Sequence, residues 1–127
     1  MYYIVETSKS FDQASTAVES AVVTHGFGVM HVHNLRAIFH SKGVAFNDEC
    51  KIFEVCNAQQ AAKILNLDMR LNMALPCRIS VYTENGKTMI GLIKPVQMLS
   101  ALTQDAALVK IAAEVESIAI KIIDEAK

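Results

Sequence analysis

From Thr103 onward, Leu108, Ile111, Ala112, Val115, Ile118, Ala119, Ile122 and Ile123 recur at helical spacing. They trace an apolar stripe of about five turns, and a helix so patterned is stable in water only when something apolar covers the stripe. The natural cover lies upstream. Leu75 to Thr83 and Lys87 to Ile93 read as strands flanking Asn85-Gly86, two residues that tolerate positive φ and so signal a tight hairpin. A sheet with one face under this helix is the expected frame.

The rest of the chain alternates strands with helices. YYIVET (2–7) is β-branched and aromatic, and Ser10 with Gln13 forms a capping-box pattern ahead of Phe11, Ala14, Ala17, Val18, Ala21 and Val22. His25-Gly26 closes that helix, and FGVMHVH (27–33) reads as a second strand. NLRAIFHSKG (34–43) is expected to be a short helix closed by Gly43. CKIFEVC (50–56) is then a strand with Lys51, Phe53 and Val55 on one face and Ile52, Glu54 and Cys56 on the other. Asn57 with Gln60 starts another helix carrying Ala61, Ala62, Ile64 and Leu65, and Pro95 permits a further one. The order predicts an α+β two-layer sandwich, an antiparallel sheet packed against helices, as a single domain over residues 1–127.

Composition narrows the function. The chain of 127 residues is long enough for one core without a metal or disulfide staple. Twelve basic against thirteen acidic residues give a formal charge of −1, which argues against a nucleic-acid surface. No run of 18 apolar residues is present, arguing against a membrane span. MYYIVETSKS lacks a basic leader and a cleavage site, so the start is expected to be mature sequence, and three cysteines with no export signal suit a reducing cytoplasm.

Three groups of side chains carry chemistry. Cys56 precedes a helix start, where free N–H groups favour a thiolate, although a free cysteine is also a common core residue. Cys50 and Cys56 would stand about 20 Å apart at ~3.3 Å per strand residue, too far to bridge, whereas Cys56 and Cys77 could meet across neighbouring strands. His31 and His33 point to one side of their strand, about 7 Å apart, and could form half of a metal shell completed by Glu54, Cys56, His25 or His40. Glu54 could pair with Arg78 or a histidine to floor a polar pocket, with Arg78 free to hold an anion. No phosphate-binding Gly-rich loop, G-x-S-x-G or H-E-x-x-H is present, so no catalytic motif supports an enzyme.

HGFGVMHVHNL, KGVAFNDECKIFEVCNAQQAAKIL and LPCRISVYTENGKTMIGLI together resemble the bacterial and archaeal family of domain of unknown function 302, above all in Gly26, Gly28, Cys56-Asn57 and Leu75-Pro76-Cys77-Arg78. The resemblance spans most of residues 2–94. It implies a small α+β fold similar to the TATA-binding-protein arrangement, β-α-β(4)-α with a long C-terminal helix, in a homodimer. It implies no agreed activity. Ala58 and Met69 stand where the family often has proline, which weakens a helix start and removes no chemistry.

Two readings follow. The favoured one is a cytoplasmic binding or accessory module, dimeric and not catalytic, whose groove takes a small ligand or partner through Glu54, Cys56, Arg78, His31 and His33. The alternative is persulfide, disulfide or redox-sensing chemistry at Cys56, with Cys77 resolving. Metal binding through His31 and His33 is a third, less favoured option.

Overall fold

The computed structural model describes all 127 residues. Its elements run β1 (Tyr2–Thr7), α1 (Phe11–Thr24), β2 (Gly28–Asn34), α2 (Leu35–Ser41), β3 (Cys50–Cys56), α3 (Ala58–Leu67), a 3-10 helix (Met69–Ala74), β4 (Cys77–Glu84), β5 (Lys87–Ile93), α4 (Pro95–Leu102) and α5 (Ala106–Ala126). The five strands form one antiparallel sheet in the order β1-β5-β4-β3-β2. The α+β sandwich expected from the sequence is the fold observed.

Local chemistry explains the elements. The β4–β5 hairpin closes through Asn85 (φ 52°) and Gly86 (φ 76°), with Glu84 opposite Lys87. This is the positive-φ pair that a two-residue turn needs. Ser10 and Gln13 form a reciprocal capping box at α1, and Asn57 Oδ1 accepts from Gln60 N at 3.2 Å at α3. α5 begins at Asp105, whose carboxylate accepts from the amides of Ala107 (2.8 Å) and Leu108 (3.3 Å).

One sheet face lies under α1 and α5. Val18 and Val22 of α1 meet Phe53, Val55, Ile79, Val81 and Ile90 of the sheet and Ile122 and Ile123 of α5, all fully buried. Lys51 shares this face of β3, yet its ammonium rises 5.4 Å from the Phe11 ring centre. Its stem packs while its charge stays at the rim.

The stripe of α5 is longer than the sheet is wide. Twenty-one residues of helix span about 31 Å, and five strands about 19 Å. Leu108 and Ala112 therefore leave the main core and join Ile64 of α3, Leu71 of the 3-10 helix and Leu99 of α4 in a second, smaller cluster. Ile111 packs against both clusters. The expected sheet cover thus accounts for the C-terminal part of the stripe, and short helices cover the first turns.

Candidate functional site

The other sheet face lies away from the α1–α5 core, and its cross-strand rows can be followed residue by residue. A central row runs Ile4, Gly91, Ser80, Ile52, His33 from β1 to β2. Beside it on β4, β3 and β2 runs Arg78, Glu54, His31. On the other flank runs Glu6, Met89, Tyr82, Cys50. The middle of the central row is its lowest point, because Gly91 has no side chain and Ser80 has a small one.

Gly91 is required there by close approach. A Cβ at this position would stand 3.0 Å from Ile4 Cγ1 and 3.1 Å from the Tyr3 carbonyl oxygen. Glycine inside a strand commonly marks such an approach or the floor of a binding site. The groove at this floor is lined by Tyr2, Ile4, Ile52 and Tyr82 of the sheet, by Met73 of the 3-10 helix and Met98 of α4, and it reaches the core-side Ile79, Leu92 and Ala119. The groove, half open to solvent, measures about 440 Å³, within the range of small-molecule sites.

Thirteen of its eighteen lining residues are hydrophobic, and Arg78 is the one charged residue among them. The Arg78 guanidinium is largely exposed, and the carboxylate within 4 Å of it, Glu54 Oε1, stands 3.8 Å away, beyond hydrogen-bond distance. Glu54 lies closer to His33, whose Nε2 is 3.1 Å from the same oxygen. The His31 and His33 rings meet edge to face with centroids 4.5 Å apart. The structure thus brings His31, His33, Glu54 and Arg78 into one polar ladder across β2, β3 and β4. Of these four, Arg78 alone lines the groove.

The histidine pair gathers no metal shell. No group of three or more His, Cys, Asp or Glu side chains is placed to hold an ion. His25 instead contacts Glu125 at 2.7 Å, and the His40 ring meets the Phe46 carbonyl oxygen at 3.0 Å.

The three cysteines are free and half-buried. Cys56 ends β3 opposite Gly28, and Cys77 stands opposite Val55. The helix start after Cys56 would favour a thiolate, but burial acts the other way and raises its pKa, as it does that of Cys50. Cys77 is pushed up to about 11 by burial and by the neighbouring Cys56. Space beside Cys56 is a void of about 30 Å³, shared with Phe27, Ile64 and Leu99. That holds about one water molecule and no substrate.

Sequence reasoning did not anticipate Gly91, Ser80, Tyr82 or Tyr2 as site residues. The available signal was Gly91 itself, an interior strand glycine outside any turn.

Comparison with known proteins supplies the family. The family model for domain of unknown function DUF302 matches residues 3–126. The crystal structure of an uncharacterized conserved DUF302 protein from Bacillus stearothermophilus is similar to this chain at 33% identity and a TM-score of 0.93, covering 99% of this chain and 98% of that one. No curated protein matches. With the family model matching nearly the whole chain and the fold shared at this identity, the protein belongs to the DUF302 family.

Proposed function

We propose that this protein is a non-enzymatic binding module whose site is the groove on the open sheet face. The observation that carries the reading is the 440 Å³ groove itself, apolar in its walls and provided with one cation, Arg78. Nothing in it pairs a nucleophile with a base. Cys77 reaches the groove lining, but its thiol is held protonated up to about pH 11. Thiol chemistry at Cys56 has less support, because burial opposes its ionisation and the adjoining void is small.

The module is a homodimer in this reading. Tyr2, Ile4 and Ile93 are 69%, 45% and 48% exposed on the open face, and an antiparallel sheet facing water ordinarily alternates to polar residues there. A second copy over this apolar border is what sedimentation velocity should detect, and a strictly monomeric chain would remove the dimer from the proposal. Three free thiols suit the cytoplasm, and no helix is long and apolar enough to cross a membrane.

Binding of Nile red, a neutral apolar dye, tests the site. Its fluorescence should rise on mixing with the folded chain and fall away in Ser80→Phe, which fills the floor. A native chain that leaves the dye unchanged would overturn the reading.

A further inference from the structure

We infer that the groove takes an amphipathic monocarboxylate, its carboxylate on Arg78 and its apolar body along the Gly91–Ser80 floor. The inference rests on the binding-module reading and names the ligand class for the same groove.

Charge decides the head group. Arg78 is the one charged residue of the lining, and no carboxylate lines the groove to repel an anion. The guanidinium presents five donors in a planar fork that matches a carboxylate with two parallel hydrogen bonds. Glu54 occupies that fork only loosely at 3.8 Å and is itself engaged with His33 at 3.1 Å, so the donors remain available. A dianionic phosphate calls for a second cation, and none lines the groove.

Shape decides the body. Gly91 and Ser80 lower the middle of the sheet between Ile4 and Ile52, leaving an apolar trough that Met73 and Met98 also line. Methionine side chains adapt their shape to varied apolar partners. The hydroxyls of Tyr2, Ser80 and Tyr82 and the protonated Cys77 thiol are the other side-chain polar groups, and they carry no charge that a cationic ligand could use.

The test is displacement of Nile red from the full chain by straight-chain carboxylates from hexanoate to dodecanoate, below micelle formation, and by the alcohols of equal length. Affinity should rise about fourfold per added methylene until the trough is full. The acids should bind about tenfold more tightly than the alcohols. Arg78→Gln should erase that preference while keeping the dye, and Ser80→Phe should lose dye and acid together. Should Ser80→Phe fail to fold, shifts of the Ser80 and Gly91 amide resonances on adding decanoate to the native chain locate the site instead.

Equal affinity of acid and alcohol for the native chain, or a preference that survives Arg78→Gln, would overturn the ligand class and leave the groove reading standing. Absence of dye and acid binding alike would bring down the groove reading as well. A dimer that binds neither, and that Ser80→Phe converts to monomer, would show that the second copy fills the groove rather than only bordering it, and would overturn the proposal.

Discussion

Glu54 Oε1 lies 3.1 Å from His33 Nε2 and 3.8 Å from the Arg78 guanidinium, so one carboxylate oxygen joins three neighbouring strands. Both partners of Glu54 are partly solvated, with side chains 35% and 64% exposed, and such pairs contribute little to stability. Glu54→Gln should therefore lower the unfolding free energy by at most about 1 kcal/mol, read from urea melts. The same change should tighten carboxylate binding at Arg78, because it removes the competing charge.

Ile79 and Ser80 are chain neighbours on opposite sheet faces, and their substitutions should differ sharply. Ile79 is fully buried among the helices. Ile79→Ala should cost about 3 to 4 kcal/mol through lost transfer energy and a residual cavity. Ser80→Ala, on the open face, should stay within about 0.5 kcal/mol. Urea titrations of the two variants check the contrast.

Burial of Cys77 links stability to alkaline pH. Its pKa is raised from 9.0 to about 11 in the fold, so on the alkaline side the unfolded chain releases this proton first. The contribution is fully present below about pH 9 and is lost as pH rises through about 11, amounting to roughly 3 kcal/mol. Urea midpoints measured across this window should fall in the native chain and fall less in Cys77→Ala. Alkylation near neutral pH should likewise reach Cys77 more slowly than it reaches the unfolded chain.

Asp105 caps α5 through two amides, Ala107 and Leu108. Asp105→Ala should cost about 1 kcal/mol. The loss should appear as a lower urea midpoint with little change in native helicity, because tertiary packing retains most of the helix.

The elements were legible where side-chain pattern and backbone need coincide. Asn85-Gly86 located the hairpin, Ser10 with Gln13 the first cap, and the α5 stripe the helix layer. The 3-10 helix was not anticipated, since its start depends on Asp68, which accepts from the Arg70 amide at 3.1 Å while pairing with the Arg70 side chain. β2 shows another limit of simple alternation. Val29 and Val32 both pack against the core although they are three residues apart, because a bulge at Met30 takes up one residue. That bulge also leaves His31 opposite Glu54 and His33 opposite Ile52 on the open face.

The candidate site was legible only in part, for a physical reason. Glu54, Arg78, His31 and His33 carry visible chemistry, and alternation put His31 and His33 on one side of their strand, while it took the cross-strand register to bring all four together. A groove, however, is made by what is missing. Its floor depends on two small residues, Gly91 and Ser80, meeting across strands, and pairing register is a tertiary property that one strand's pattern does not contain.

The two apolar clusters are unequal, sixteen buried residues against five, and the groove draws on both neighbourhoods. Its floor belongs to the sheet of the large cluster. Met73 and Met98 of its lining ride on the 3-10 helix and α4, which are anchored by the small one. Local opening follows the least buried unit, so these short helices should open at a lower free-energy cost than the sheet unzips. The groove would thus have a yielding rim over a rigid bed, and amide exchange should run faster along α4 than along β4.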